Sequence, residues 1–118
     1  MNPEFKIIVS SNDSEFSINL VNECHKYGFI LSFINNHENI KDEISEDIIA
    51  VVVLDMDNDN TDILKLCQDI RELYGVPIFG VINKLNAKIQ KKAKINGFDL
   101  IFTKKMLLNS IREVVIHV

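Results

Sequence analysis

Nothing in this sequence is long and apolar enough to cross a membrane. Its longest unbroken apolar run, Ile48 to Leu54, falls far short of the roughly 20 residues that a bilayer span needs. Met1-Asn2-Pro3-Glu4-Phe5 lacks both the basic region and the apolar core of a secretory signal, so the expected location is cytoplasmic. Cysteine is scarce. Cys24 and Cys67 form no C-x-x-C pair and have no paired histidines beside them, which argues against a metal site or a disulfide and for two reduced, buried thiols. His25, His37 and His117 are scattered and expected at the surface, with no nucleophile or base to join. No Pro/Ser/Gly-rich linker, low-complexity tract or internal repeat interrupts the chain. Its 118 residues, 47% of them hydrophobic, fit one domain over residues 1–118 with a single core.

Charge is unevenly spread. Residues 1–83 hold 15 acids against 5 bases, a net −10, whereas residues 84–118 hold 2 acids against 8 bases, a net +6. Lys84, Lys88, Lys91, Lys92, Lys94, Lys104 and Lys105 gather late in the chain. They make a solvated basic face or a docking surface for an acidic partner. Without aromatic interleaving, a recognition motif or a positive overall charge, nucleic acid is not the expected partner.

Short apolar, β-branched runs at Phe5–Ser10, Phe29–Ile34, Ile48–Leu54, Val76–Ile82 and Leu100–Thr103 read as strands buried on both faces. Helical patterns lie between them. Ile63, Leu66, Cys67, Ile70, Leu73 and Tyr74 form one apolar stripe. Leu20, Cys24 and Tyr27 mark a first helix, capped by Asp13 or Ser14 and ended by Gly28. Ile40 and Ile44 mark a weaker second helix, Leu85, Ile89 and Ala93 a fourth closed by Gly97, and Leu107 to Val115 a fifth. Five strand–helix alternations predict an α/β fold, with one doubly wound parallel sheet of five strands flanked by helices.

In such sheets chemistry belongs at the carboxyl ends of the strands. Asp55 follows Val51-Val52-Val53-Leu54 there, expected half exposed, and Lys104 follows Leu100-Ile101-Phe102-Thr103. A strand-end Asp facing a strand-end Lys suits stabilisation of a transferred phosphoryl group. Two other uses of the region fail. Counted from Asp55, a calcium loop needs Gly sixth and Glu twelfth, where Asn60 and Leu66 stand. Asp57, Asp59 and Asp62 otherwise read as a solvated acidic loop, with Asp62 capping the next helix. A flavodoxin-type phosphate cradle needs glycine in Ser10-Ser11-Asn12-Asp13-Ser14, which has none.

Over essentially its whole length the sequence resembles a response-regulator receiver domain, the CheY-like fold with strand order 2-1-3-4-5. Asp55 falls on that family's phosphoacceptor. Pro77-Ile78-Phe79 resembles the start of its fourth strand, and Gly97-Phe98-Asp99-Leu100-Ile101-Phe102-Thr103-Lys104 its G-A-D-D-Y-L-T-K, with Lys104 on the essential lysine. The departures are as informative. The paired acids that hold Mg²⁺ read Ser11 and Asn12, with Asp13 one step late. The strand-four hydroxyl is Ile82, the aromatic switch is Ile101, and the proline after the lysine is Lys105.

The resemblance therefore implies two-component (phosphorelay) signalling in a bacterium by a degenerate pseudo-receiver. This is a contact module and not an enzyme, using a partner face of Lys84, Lys88, Lys91, Lys92 and Lys105. Its expected partner is a histidine kinase, a phosphotransfer protein, its own output domain or a second copy, and no cofactor is assigned to it apart from Mg²⁺ should it be phosphorylated. The alternative is a working phosphoacceptor, with Asp55 phosphorylated, Lys104 stabilising the charge, and Mg²⁺ held weakly by Asn12, Asp55 and Asp57. A weaker alternative rests on Val51 to Asp57 and the following Leu-Cys helix, which also resemble the receiver-like wing domain of basic amino acid decarboxylases, an oligomerisation module of a larger enzyme.

Overall fold

The computed structural model describes residues 4–58 and 62–117. Five parallel strands, β1 (Glu4–Ser10), β2 (Ile30–Phe33), β3 (Ile48–Asp55), β4 (Ile78–Ile82) and β5 (Leu100–Thr103), form one sheet in the order β2-β1-β3-β4-β5. Four α-helices cover it: α1 (Ser14–Tyr27), α2 (Ile63–Leu73), α3 (Ala87–Ile95) and α4 (Lys104–Ile116). The period-two alternation of β1 and β3 sorts the core into two layers. Ile8, Val52 and Leu54 face α2 and α3, whereas Ile7, Val9, Val51 and Val53 face α1 and α4. Cys24 and Cys67 are buried free thiols, and burial raises each to about 11.

Each α-helix starts on a side chain that accepts an orphan backbone N–H. Asp13 accepts from Phe16, Asp62 from Lys65, Asn86 from Ile89 and Thr103 from Met106. Helix α3 consequently begins at Ala87, leaving Leu85 outside it. The G-F-D stretch closes the fold from below β5. Gly97 takes φ +102° after α3, a conformation that costs glycine little. Arg71 of α2 donates to the Gly97 carbonyl (2.9 Å) and to Asp99, which itself accepts from the Ile78 N–H at 2.7 Å.

The expected second helix is absent as an α-helix. A 3₁₀ helix, His37–Asp42, takes its place. Its segment offers only Ile40 and Ile44 to the core, too few apolar anchors to hold a regular helix on the sheet. Ile40 is fully buried and Ile44 partly so. Glu43 ends the segment by pairing with Lys6, a lysine buried inside β1, and by accepting from Ser32 Oγ at 2.6 Å.

That pair makes a stability prediction. Lys6 and Ser32 hold the Glu43 carboxyl below the usual carboxylate range. A depressed carboxyl stabilises the fold above its unfolded pKa and loses that contribution as pH falls through the folded value. Glu43→Gln should cost about 2–3 kcal/mol at neutral pH, because it leaves Lys6 buried without its counter-ion. The deficit should shrink in acid in urea titrations, as pH falls through the lowered folded value and wild-type Glu43 also becomes neutral.

Candidate functional site

The site forms where β1, β3 and β5 end and α1 and α4 begin. Lys104, the first residue of α4, is largely buried and stands over the Phe16 ring, 5.8 Å from its centroid. Its ammonium reaches three carboxylates: Asp13 at 2.9 Å, Asp55 at 3.2 Å and Asp57 at 3.2 Å. Three donors meet three acceptors, so the lysine is saturated. Burial alone would lower its pKa, but the bonds to Asp13, Asp55 and Asp57 outweigh that and leave it raised. Asp13 is held low, first by the Phe16 N–H at the start of α1 and then by Lys104.

Asp55 differs from the expected half-exposed carboxylate, for none of its surface is accessible. Its Oδ1 accepts from the Asp57 N–H at 2.9 Å. Its Oδ2 accepts from Ser11 Oγ at 2.6 Å as well as facing Lys104. Both oxygens are thus engaged, Oδ1 by the Asp57 N–H and Oδ2 by Ser11 and Lys104. Asp57 is positioned in turn by the Asn83 N–H, which donates to its Oδ2 at 2.8 Å.

The carboxyl edge brings together Ser11, Asp13, Asp55, Asp57 and Lys104. Asn12 does not join. It is exposed, and no hydrogen bond ties its side chain to the cluster. Asp13, read from the sequence as one step late, enters the cluster after all. As N-cap of α1 it turns one oxygen to the helix and the other to Lys104. Its capping role was legible, whereas its reach to Lys104 depends on α1 and α4 lying side by side. Ile82 is buried and Ile101 half-buried, with Ile101 packing over Gly80, where a Cβ would stand 2.8 Å from its Cδ1. Lys105 lies exposed in the first turn of α4, and the described residues contain no cis peptide. Asp59 and the side chain of His37 lie outside the described residues. Lys84, Lys88, Lys91 and Lys92 are exposed along and just before α3.

A receiver's Mg²⁺ fits these residues poorly. The ion needs near-octahedral oxygen ligands with one or more free carboxylates, yet all three carboxylates here point at an ammonium. Among the described residues no group of three Asp, Glu, His or Cys side chains is arranged to hold a metal.

No family model and no curated protein sequence matches the chain. Solved structures do. The receiver domain of yeast Ssk1, solved with the phosphotransfer protein Ypd1, superposes with a TM-score of 0.77 at 14% identity, over 98% of this chain and 88% of that one. A two-component response regulator from Clostridium difficile gives 0.74 at 19%, over 94% and 95%. The BeF3-activated receiver domain of Klebsiella pneumoniae RstA gives 0.72 at 19%, over 92% and 96%. The fold is that of a receiver domain. Within the receiver fold, Asp55 and Lys104 occupy the strand ends that the sequence assigned to them, in the sheet order 2-1-3-4-5.

Proposed function

We propose that this chain is a receiver-fold signalling module of the two-component type that works by protein contact, with its phosphoacceptor site closed. The observation that carries this reading is the state of Asp55: buried, with both oxygens hydrogen-bonded and its lysine shared with two further carboxylates. An in-line attack needs an exposed carboxylate oxygen and a cation free to meet incoming charge. Ile82 adds no hydroxyl to contact a phosphoryl group. The remaining surface feature suited to signalling is the basic face of Lys84, Lys88, Lys91, Lys92 and Lys105, which fits an acidic protein surface.

Intact mass after incubation with acetyl phosphate and Mg²⁺ tests the reading, with Asp55→Asn as control. The expected result is no phosphoryl adduct on either protein. The second reading, a working phosphoacceptor, draws on the 3.2 Å approach of Lys104 to Asp55. An adduct on the wild type that disappears in the control would establish it and discard the closed-site reading.

A further inference from the structure

The two edges of the sheet are opposite in charge and alike in being unprotected. On the β5 side, residues 84–98 carry five lysines and no acid. Ala87, Gln90, Lys91 and Lys94 form one face of α3, and with Leu100, Ile101 and Asp99, the one acid among them and paired with Arg71, they line an open groove of about 470 Å³. On the β2 side, residues 35–47 carry five acids against Lys41 alone. Glu38, Asp42, Glu46 and Asp47 of that set are exposed, whereas Glu43 is held by Lys6. Both charged elements lie on the same face of the sheet, since Ile40 of the 3₁₀ helix and Ala93 of α3 share one core layer.

The edge strands, Ile30-Leu31-Ser32-Phe33 and Leu100-Ile101-Phe102-Thr103, contain neither the charge nor the proline that commonly blunts an edge. Phe33 and Leu100 are 51% and 53% exposed. Each strand pairs on one side only.

We propose that the chain self-associates head to tail. The β5 edge and α3 lysines of one copy seat on the β2 edge and 3₁₀-helix acids of the next. Because every strand is parallel, stacking copies in one orientation continues the sheet and sets α3 beside the neighbour's 3₁₀ helix. Such a contact uses two different surfaces, so it leaves a free edge at each end and can extend beyond a dimer. Four-residue edges make it weak, and its charge steering makes it salt-sensitive. The proposal rests on the contact-module reading in treating the basic face as an interface, and it names a second copy as the occupant.

Sedimentation velocity over a wide concentration range decides it. At low salt the wild type should form species beyond a dimer, with an association constant about tenfold lower at high salt. Lys88→Glu/Lys91→Glu/Lys94→Glu and Glu38→Lys/Asp42→Lys/Glu46→Lys should each be monomeric alone and should associate when mixed. Leu100→Lys, an exposed change, should also be monomeric with an unaltered melting temperature. A wild type monomeric throughout, an assembly that stops at two copies, or mixed variants that stay apart would overturn the proposal. A phosphoryl adduct on Asp55 would instead remove the closed-site reading and leave the edge contact standing.

Discussion

Lys104→Met should lose about 3–5 kcal/mol of stability at neutral pH, the cost of breaking a buried ion pair from one side. The substitution keeps the aliphatic stem over Phe16 but takes from Asp13, Asp55 and Asp57 the only cation that pairs with them among the described residues, and Asp55 is wholly buried. The pH dependence identifies the cause. In the wild type, Asp13 is held low and stabilises the fold above its unfolded pKa, a contribution lost as acid carries the pH through the folded value. Without Lys104 the clustered carboxylates repel one another, and protonation relieves the variant instead. The difference between the two proteins should therefore narrow as pH falls toward the ordinary carboxylate range and on below it, where Asp13 of the wild type is protonated in turn. At the other end, the raised Lys104 contributes fully below the unfolded amine pKa and is lost as pH rises through its folded value. Only the wild type should show that alkaline loss in urea midpoints. A deficit that stayed constant with pH would mean that the methionine merely packs badly.

The fold was legible because its signal repeats. Five apolar runs separated by helical stripes leave little choice of topology, and Asp13, Gly28, Asp62 and Gly97 each marked a helix end that the structure retains. The segment between β2 and β3 failed for lack of the same redundancy. Two isoleucines at helical spacing cannot outweigh Glu43 being drawn away to Lys6, a pairing between residues 37 positions apart that no local pattern encodes. The site divides similarly. Asp55 and Lys104 were visible because each terminates an apolar strand. The burial of Asp55 was not, because no local pattern shows that Ser11 Oγ, 44 positions away, donates to that carboxylate at 2.6 Å. Asp13 was legible as a helix cap, whereas its contact with Lys104 spans 91 positions and is set by α1 lying against α4.

Ser11→Asp should turn the closed site into a metal-dependent one. Ser11 Oγ lies 2.6 Å from Asp55 Oδ2 and donates to it. A carboxylate in its place removes that donor and sets a like charge against a buried one, with Lys104 already shared three ways. In chelator the variant should be destabilised by on the order of 2–4 kcal/mol, the scale of two charges a few ångströms apart near a protein surface. An added carboxylate is also the kind of ligand Mg²⁺ uses. Millimolar Mg²⁺ should therefore raise the variant's melting temperature by several degrees, since an ion at a hundred times its Kd contributes about 2.7 kcal/mol. The wild type should not move, its carboxylates being held by Lys104. Thermal melts of both proteins, with and without the ion, read this directly. If Mg²⁺ stabilised the wild type as strongly as the variant, the ion would already compete with Lys104 for the native carboxylates. The closed site would then be a resting arrangement that opens on metal binding, and the phosphoacceptor reading would displace the contact-module one.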